Sequence, residues 1–125
     1  MSEIPQAVKD AWEARQGAAV FVTADEDRMP NAIYVSCIRR IDDSRFVVAD
    51  NYFNKTRLNI NAGSKGCILF ITDQRKAFQV KGPIQYLTSG DVFDDMKTWL
   101  DPKHPGKGAA VLTVEEAYSG GEKLR

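Results

Sequence analysis

Between Ala18 and Val114 the apolar residues recur in short runs, most of them with a period of two, and each run is closed by turn formers. Such a pattern confines the chain to antiparallel β architecture, because alternation turns one face of each run to a core and short polar links return the next run alongside. Ala19-Val20-Phe21-Val22-Thr23 is the first strand, ending at Asp25-Glu26-Asp27-Arg28. The runs from Ala32 to Ile41 and from Arg45 to Ala49 follow, separated by Asp42-Asp43-Ser44, so three strands in a meander are expected. Gly66 to Thr72 and Ala77 to Thr88 flank the turn Asp73-Gln74-Arg75-Lys76, and Gly82-Pro83 marks a bend or an edge position in the second of them. Ala109 to Val114 adds a sixth strand before a polar tail.

Three segments carry helical spacing instead. Ser2 is a candidate cap for a first helix with Pro5 in its opening turn and Ile4, Val8, Ala11 and Trp12 on one face, stopped by Gly17. Lys55 to Ala62 predicts a short helix ended by Gly63. Ser89 is the expected N-cap of a helix through Leu100, whose stripe is Val92, Phe93, Met96, Trp99 and Leu100. Short antiparallel strands with helices closing the ends predict a mainly β (α+β) fold, a small barrel or strongly coiled sheet, since closure removes exposed edges.

At 125 residues, positions 1–125 are expected to form one domain. Lys and Arg number 17 and Asp and Glu also 17, without a basic run, so neither nucleic acid nor a membrane surface is an expected partner. Cys37 and Cys67 stand in apolar surroundings and read as reduced and buried. The opening residues lack a secretory pattern, and no stretch approaches the roughly 18 apolar residues of a membrane span, so a cytoplasmic protein is expected.

The chemistry is concentrated after the third strand. Lys55-Thr56, opening a helix after a loop, would bring an ammonium, a hydroxyl and unbonded backbone N–H groups to one point, which suits a phosphate monoester. On those two residues alone, the solvent-facing first turn of an ordinary surface helix is the favoured reading. The longer stretch Arg45-Phe46-Val47-Val48-Ala49-Asp50-Asn51-Tyr52-Phe53-Asn54-Lys55-Thr56-Arg57-Leu58-Asn59-Ile60, preceded by Pro30-Asn31-Ala32-Ile33-Tyr34-Val35-Ser36, resembles the pyridoxamine 5′-phosphate oxidase-like FMN-binding split-barrel superfamily. In size the chain is most similar to its small bacterial FMN-binding proteins, and the similarity spans Ala18 to Thr88.

That resemblance implies a six- to seven-stranded antiparallel split β-barrel with Greek-key character, flanked by short helices. It also implies non-covalent FMN, its phosphate at Lys55 and Thr56 and its ring beside Val48, Ala49, Asp50 and Phe53, with Asn54 also among the cofactor-binding residues and Ile33, Tyr34, Val35 and Ser36 supplied by the neighbouring strand. Family members pair as homodimers with the flavin at the boundary, so Gln79, Lys81, Trp99 or Tyr118 could reach a partner's cofactor. The Arg/His-bearing C-terminal segment of true pyridoxamine phosphate oxidases has no counterpart here, which disfavours that reaction. An FMN-dependent oxidoreductase or electron carrier is the expected function, and a flavin- or haem-binding module without turnover is the alternative. Haem would want an axial ligand, and His104 is the sole histidine. Otherwise His104 reads as solvated and not as a metal ligand, Asp42-Asp43 and Asp94-Asp95 as surface charge, and Cys37 as a small apolar filler in preference to a redox thiol. No catalytic side chain is identified.

Overall fold

The computed structural model describes residues 3–125. Three helices, α1 (Gln6–Glu13), α2 (Lys55–Asn61) and α3 (Asp91–Trp99), accompany strands β1 (Ala19–Ala24), β2 (Pro30–Val35), β3 (Ile38–Arg40), β4 (Arg45–Asp50), β5 (Lys65–Ile71), β6 (Ala77–Leu87), β7 (Gly108–Thr113), β8 (Glu116–Ser119) and β9 (Glu122–Lys123). Every pairing is antiparallel, and the main path runs β2-β1-β5-β6-β7-β4-β3. The neighbours β1 and β5, and likewise β4 and β7, are far apart in sequence, which is Greek-key connectivity.

The two ends of that path are successive pieces of chain. Only Ser36 and Cys37 separate β2 from β3, so one stretch of backbone starts the sheet and finishes it. This is how the sheet curls into a mainly β split barrel. The expected continuous strand from Ala32 to Ile41 is therefore broken in two, and its halves pair with different neighbours: β2 with β1, β3 with β4. On the far side β6 does the same work in one eleven-residue strand. Residues up to Pro83 pair with β5, and Ile84 to Leu87 pair with β7. Gly82 stands at that transfer, where an added Cβ would overlap the Thr113 carbonyl oxygen.

The barrel interior is filled by Phe21, Phe46, Val48, Ile68, Val80 and Leu112, and α1 closes one end with Ile4, Val8 and Trp12. Trp12 meets Phe46 and Phe70 edge-on at ring separations of 4.9 and 5.0 Å. A second apolar layer, Val47, Ala49, Ala109 and Val111, lies under Met96 and Leu100 at α3. Because β4 is covered on both faces, it reads as an unbroken apolar run from Phe46 to Ala49 rather than as an alternation.

Four details differ from the sequence reading. The polar tail after Val114 forms β8, paired with β6, and β9, paired with β8; backbone pairing holds them, with Ala117 in the core and Leu124 packed against it. Gly90, with φ of 96°, and not Ser89, precedes the first turn of α3. Pro5 occupies the N-cap of α1, and Ser2 lies outside the described residues. Both cysteines are half-buried, with Cys67 Sγ directed at the side-chain oxygen of Gln79 at 3.1 Å. No helix among the described residues is long and apolar enough to cross a membrane.

Candidate functional site

Helix α2 is docked on the barrel through a polar seam. Thr23 and Asn31 are cross-strand partners on β1 and β2. Asn59 Nδ2 donates to Thr23 Oγ1, and Asn31 Nδ2 donates to Thr56 Oγ1, each at 3.1 Å. Thr56 and Asn59 are three apart on the helix and so share the face that meets this pair. The register sets the height of α2 along β2, and with it the position of Lys55. Thr56 is 1% exposed, whereas Lys55 beside it is exposed and its ammonium makes no ion pair or hydrogen bond among the described residues.

Two hollows lie along β2, one at each end of the strand and with no lining residue in common. The first, about 380 Å³, lies between the β1–β2 turn and α2 and is lined by Met29, Asn31, Lys55, Leu58 and Asn59, with Asp25 and Glu26 at its margin. The Asp25 carboxylate is committed to the turn, accepting from the backbone N–H groups of Asp27 at 2.8 Å and Met29 at 2.9 Å. The second, about 350 Å³, is lined by Ile33, Tyr34, Val35 and Ser36 on one side and by Ala49, Asn51, Tyr52 and Phe53 on the other, with Cys37 and His104 completing it. One end thus offers an unpaired ammonium and amide groups, the other an apolar and aromatic wall. Tyr34, 80% exposed, and Tyr52, 74% exposed, stand open to solvent at the second hollow. Large side chains left so open on a small barrel mark a surface built for contact.

The loop carrying Tyr52 and Phe53 is held by a buried clamp. Asp50 is fully buried, and its carboxylate accepts from Phe53 N–H at 2.9 Å, Arg57 Nε at 2.8 Å and the Tyr86 hydroxyl at 2.5 Å. Arg57 also donates to the Phe53 carbonyl at 2.6 Å, closing the turn between strand and helix. Burial would raise the Asp50 carboxyl, but the bonds from Arg57, Tyr86 and Phe53 outweigh it and hold the group below its ordinary range. The Tyr86 phenol is pushed up to about 12 by burial and by its bond to the Asp50 carboxylate. Since the folded value lies above the ordinary value near 10, the contribution of Tyr86 to stability is whole below about pH 10 and fades as the pH climbs toward 12. Tyr86→Phe should accordingly remove the phenolate absorbance step near pH 12 from an alkaline titration.

A second tie brings in the α3–β7 loop. The Gly106 N–H donates to Asn51 Oδ1 at 3.0 Å, and Lys107 N–H to the Asp50 carbonyl at 2.7 Å. This positions His104 at the second hollow, with its ring 6.5 Å from that of Tyr52. The imidazole is half-buried and its Nδ1 is shut from water, so the expectation of a solvated histidine does not hold.

Of the residues named from the sequence, Ile33, Tyr34, Val35, Ser36, Ala49 and Phe53 line one hollow and Lys55 the other. Val48, Asp50, Asn54 and Thr56 line neither. Val48 points into the barrel core, Asp50 holds the clamp, exposed Asn54 precedes α2 without capping it through its side chain, and Thr56 faces Asn31. Sequence reasoning did not single out Asn31, Asn51, Arg57 or Tyr86. Their partners are distant in the chain or separated by a loop, and no spacing rule announces them.

A curled antiparallel sheet divided at Ser36–Cys37, with a lateral groove where strand edge and helix start meet, defines a split-barrel protein. Residues 4–119 match the pyridoxamine 5′-phosphate oxidase family, and the chain belongs to it. An uncharacterised protein of Methanocaldococcus jannaschii is 30% identical over 106 residues, 80% of this chain and 71% of that one. Among solved structures, HupZ of Group A Streptococcus has a TM-score of 0.81 at 25% identity over 93% of both chains. An FMN-binding protein from Syntrophomonas wolfei subsp. wolfei has a TM-score of 0.80 at 22% identity, covering 96% of this chain and 87% of that chain, and shares the fold.

Proposed function

We propose that this chain is a flavoprotein that holds FMN non-covalently along β2 and the start of α2 and serves electron or hydride transfer. The observation that carries the reading is the pair of hollows along one strand, β2, an unpaired Lys55 ammonium in one and an apolar, aromatic wall in the other. Family membership and the FMN-binding neighbour from Syntrophomonas wolfei support the choice of ligand. Lys55 carries the phosphate charge. Thr56, sealed against Asn31 and outside both hollows, fixes the start of α2 and so positions Lys55. Ile33, Val35, Ala49 and Phe53 exclude water from one side of the ring, and Tyr34 and Tyr52 flank it. FMN, when bound, supplies the redox chemistry; the chain positions it and sets its surroundings.

Homodimerisation belongs to the same proposal. Both hollows are open, and the exposure of Tyr34, Tyr52, Met29 and Leu58 at their margins suits cover by a second copy. The unpaired, half-buried cysteines suit a reducing compartment such as the cytoplasm.

The test is the absorbance spectrum of the purified protein after FMN addition and dialysis, compared with Lys55→Ala. Wild-type protein should retain flavin bands, and the variant should bind FMN roughly tenfold more weakly or worse, the usual loss for one charge-assisted hydrogen bond. Protein that holds no flavin under any condition would overturn the reading. A second reading, haem in the same groove, draws on the placement of His104 at the second hollow. His104→Ala should abolish a haem Soret band if that reading holds and leave the FMN spectrum in place if the first does.

A further inference from the structure

Past Ser36 the second hollow adjoins another, of about 330 Å³, between β3 and the end of α3. Arg15, Arg39, Trp99 and Leu100 belong to its lining alone, while Ser36, Cys37 and His104 line both spaces. Neither arginine makes an ion pair among the described residues. Arg15 lies over the Trp12 ring at 3.9 Å and donates to the Trp12 carbonyl at 2.8 Å. Arg39 lies over the Trp99 ring at 5.0 Å. The carboxylate of this lining is Asp101, whose Oδ1 accepts from the Lys103 N–H at 3.0 Å. Two guanidinium groups therefore face one carboxylate already engaged in a turn, and the hollow carries a positive excess.

Trp99 Nε1 and His104 Nδ1 are buried without a partner among the described residues and are shut from the hollow, which the Trp99 ring meets with its apolar surface. Flat apolar surface from the Trp99 ring beside guanidinium forks is a combination that fits a planar body bearing a carboxylate, which arginine binds in bidentate fashion.

We infer that this hollow is a second ligand pocket for a small planar carboxylate, with Arg39 and Arg15 receiving the anion and the Trp99 ring the flat apolar part. The pocket itself stands apart from the flavin assignment. Its placement as a reactant site rests on that assignment, because Ser36, Cys37 and His104 set its occupant beside the hollow assigned to the flavin ring.

Benzoate is a suitable probe, with benzyl alcohol as its neutral counterpart. The chain has two tryptophans, and Trp12 is sealed in the core, so quenching by a ligand in this pocket reports on Trp99. Benzoate should quench protein fluorescence saturably, benzyl alcohol should not, and Trp99→Phe should remove the response. Arg39→Ala, at an exposed position, should weaken benzoate at least tenfold with unchanged circular dichroism, and Arg39→Lys should recover part of the loss. Absence of saturable quenching, or quenching that Arg39→Ala leaves unaltered, overturns the pocket. In FMN-loaded protein, benzoate should also shift the flavin bands, and benzoate binding without such a shift overturns the placement beside the ring. Protein that binds benzoate but retains no FMN removes the flavin reading and leaves the pocket standing; protein that retains FMN but ignores benzoate does the reverse.

Discussion

Gly82→Ala should cost about 3 kcal/mol or more of folding stability, at or above the upper end of what overpacking costs. The methyl group would be driven into the Thr113 carbonyl oxygen, with the Glu115 backbone nitrogen at 3.2 Å behind it. Neither atom can swing aside. Val114 N–H donates to the Ser44 carbonyl at 2.8 Å and Glu115 N–H to the Lys81 carbonyl at 2.8 Å, pinning the β7–β8 connection on both sides of the contact. A side chain in the way could rotate; a hydrogen-bonded backbone must shift as a unit, and here that unit joins β6, β7 and β8. Urea denaturation of both proteins should show the difference as a lower midpoint. Gly66→Ala is the comparison, because its nearest neighbour is the flexible end of Ile84, at 2.5 Å, and its loss should be smaller.

Asp50→Ala should cost about 2–4 kcal/mol, because the donors it leaves without an acceptor each forfeit about 1–3 kcal/mol while the one-third exposed Arg57 can turn to water. The Arg57 guanidinium would lose its carboxylate, the Tyr86 hydroxyl its acceptor and the Phe53 N–H its bond, all at once. The pH dependence has a definite sign. A carboxyl held below its ordinary range stabilises the fold above the ordinary value near 3.9, and that contribution fades as the pH falls through the folded value. Thermal unfolding followed from neutral to acid pH should therefore show a wild-type advantage that shrinks in acid. Asp50→Asn should fall between the two, because an amide oxygen still accepts from Tyr86 or Phe53 while the charge opposite Arg57 is gone. The loss should also reach ligand binding, since the clamp sets where Tyr52 and Phe53 stand.

Period-two alternation made β1, β5 and β6 legible, and turn formers located most of their ends. The break at Ser36–Cys37 was invisible because exposed Ser36 fits the outward position of a period-two alternation; the barrel, not local preference, divides the strand there. The strands β8 and β9 were invisible for the opposite reason, having little apolar pattern and being held by backbone pairing to an existing edge. At the site, resemblance named the residues of β2 and of the loop before α2, and the structure sets Ile33, Tyr34, Val35, Ser36, Ala49 and Phe53 around one hollow. It could not separate residues that face the groove from those that shape it. Asp50 differs from Ala49 by one position, yet Ala49 lines the groove and the Asp50 side chain is sealed beneath it, as strand alternation and its bond to the half-buried Arg57 require.

Because β2 and β3 lie at opposite ends of the strand path, the groove beneath them has a late birthday. The β3–β4 hairpin can form as soon as Asp50 has been synthesised, yet β4 gains its other neighbour only when Gly108 to Thr113 arrive. Asn51 likewise waits for Gly106, and the groove for His104. A chain emerging from the ribosome therefore has no finished cradle until residues 104–113 are out, so a ligand seated there would load after that point in synthesis.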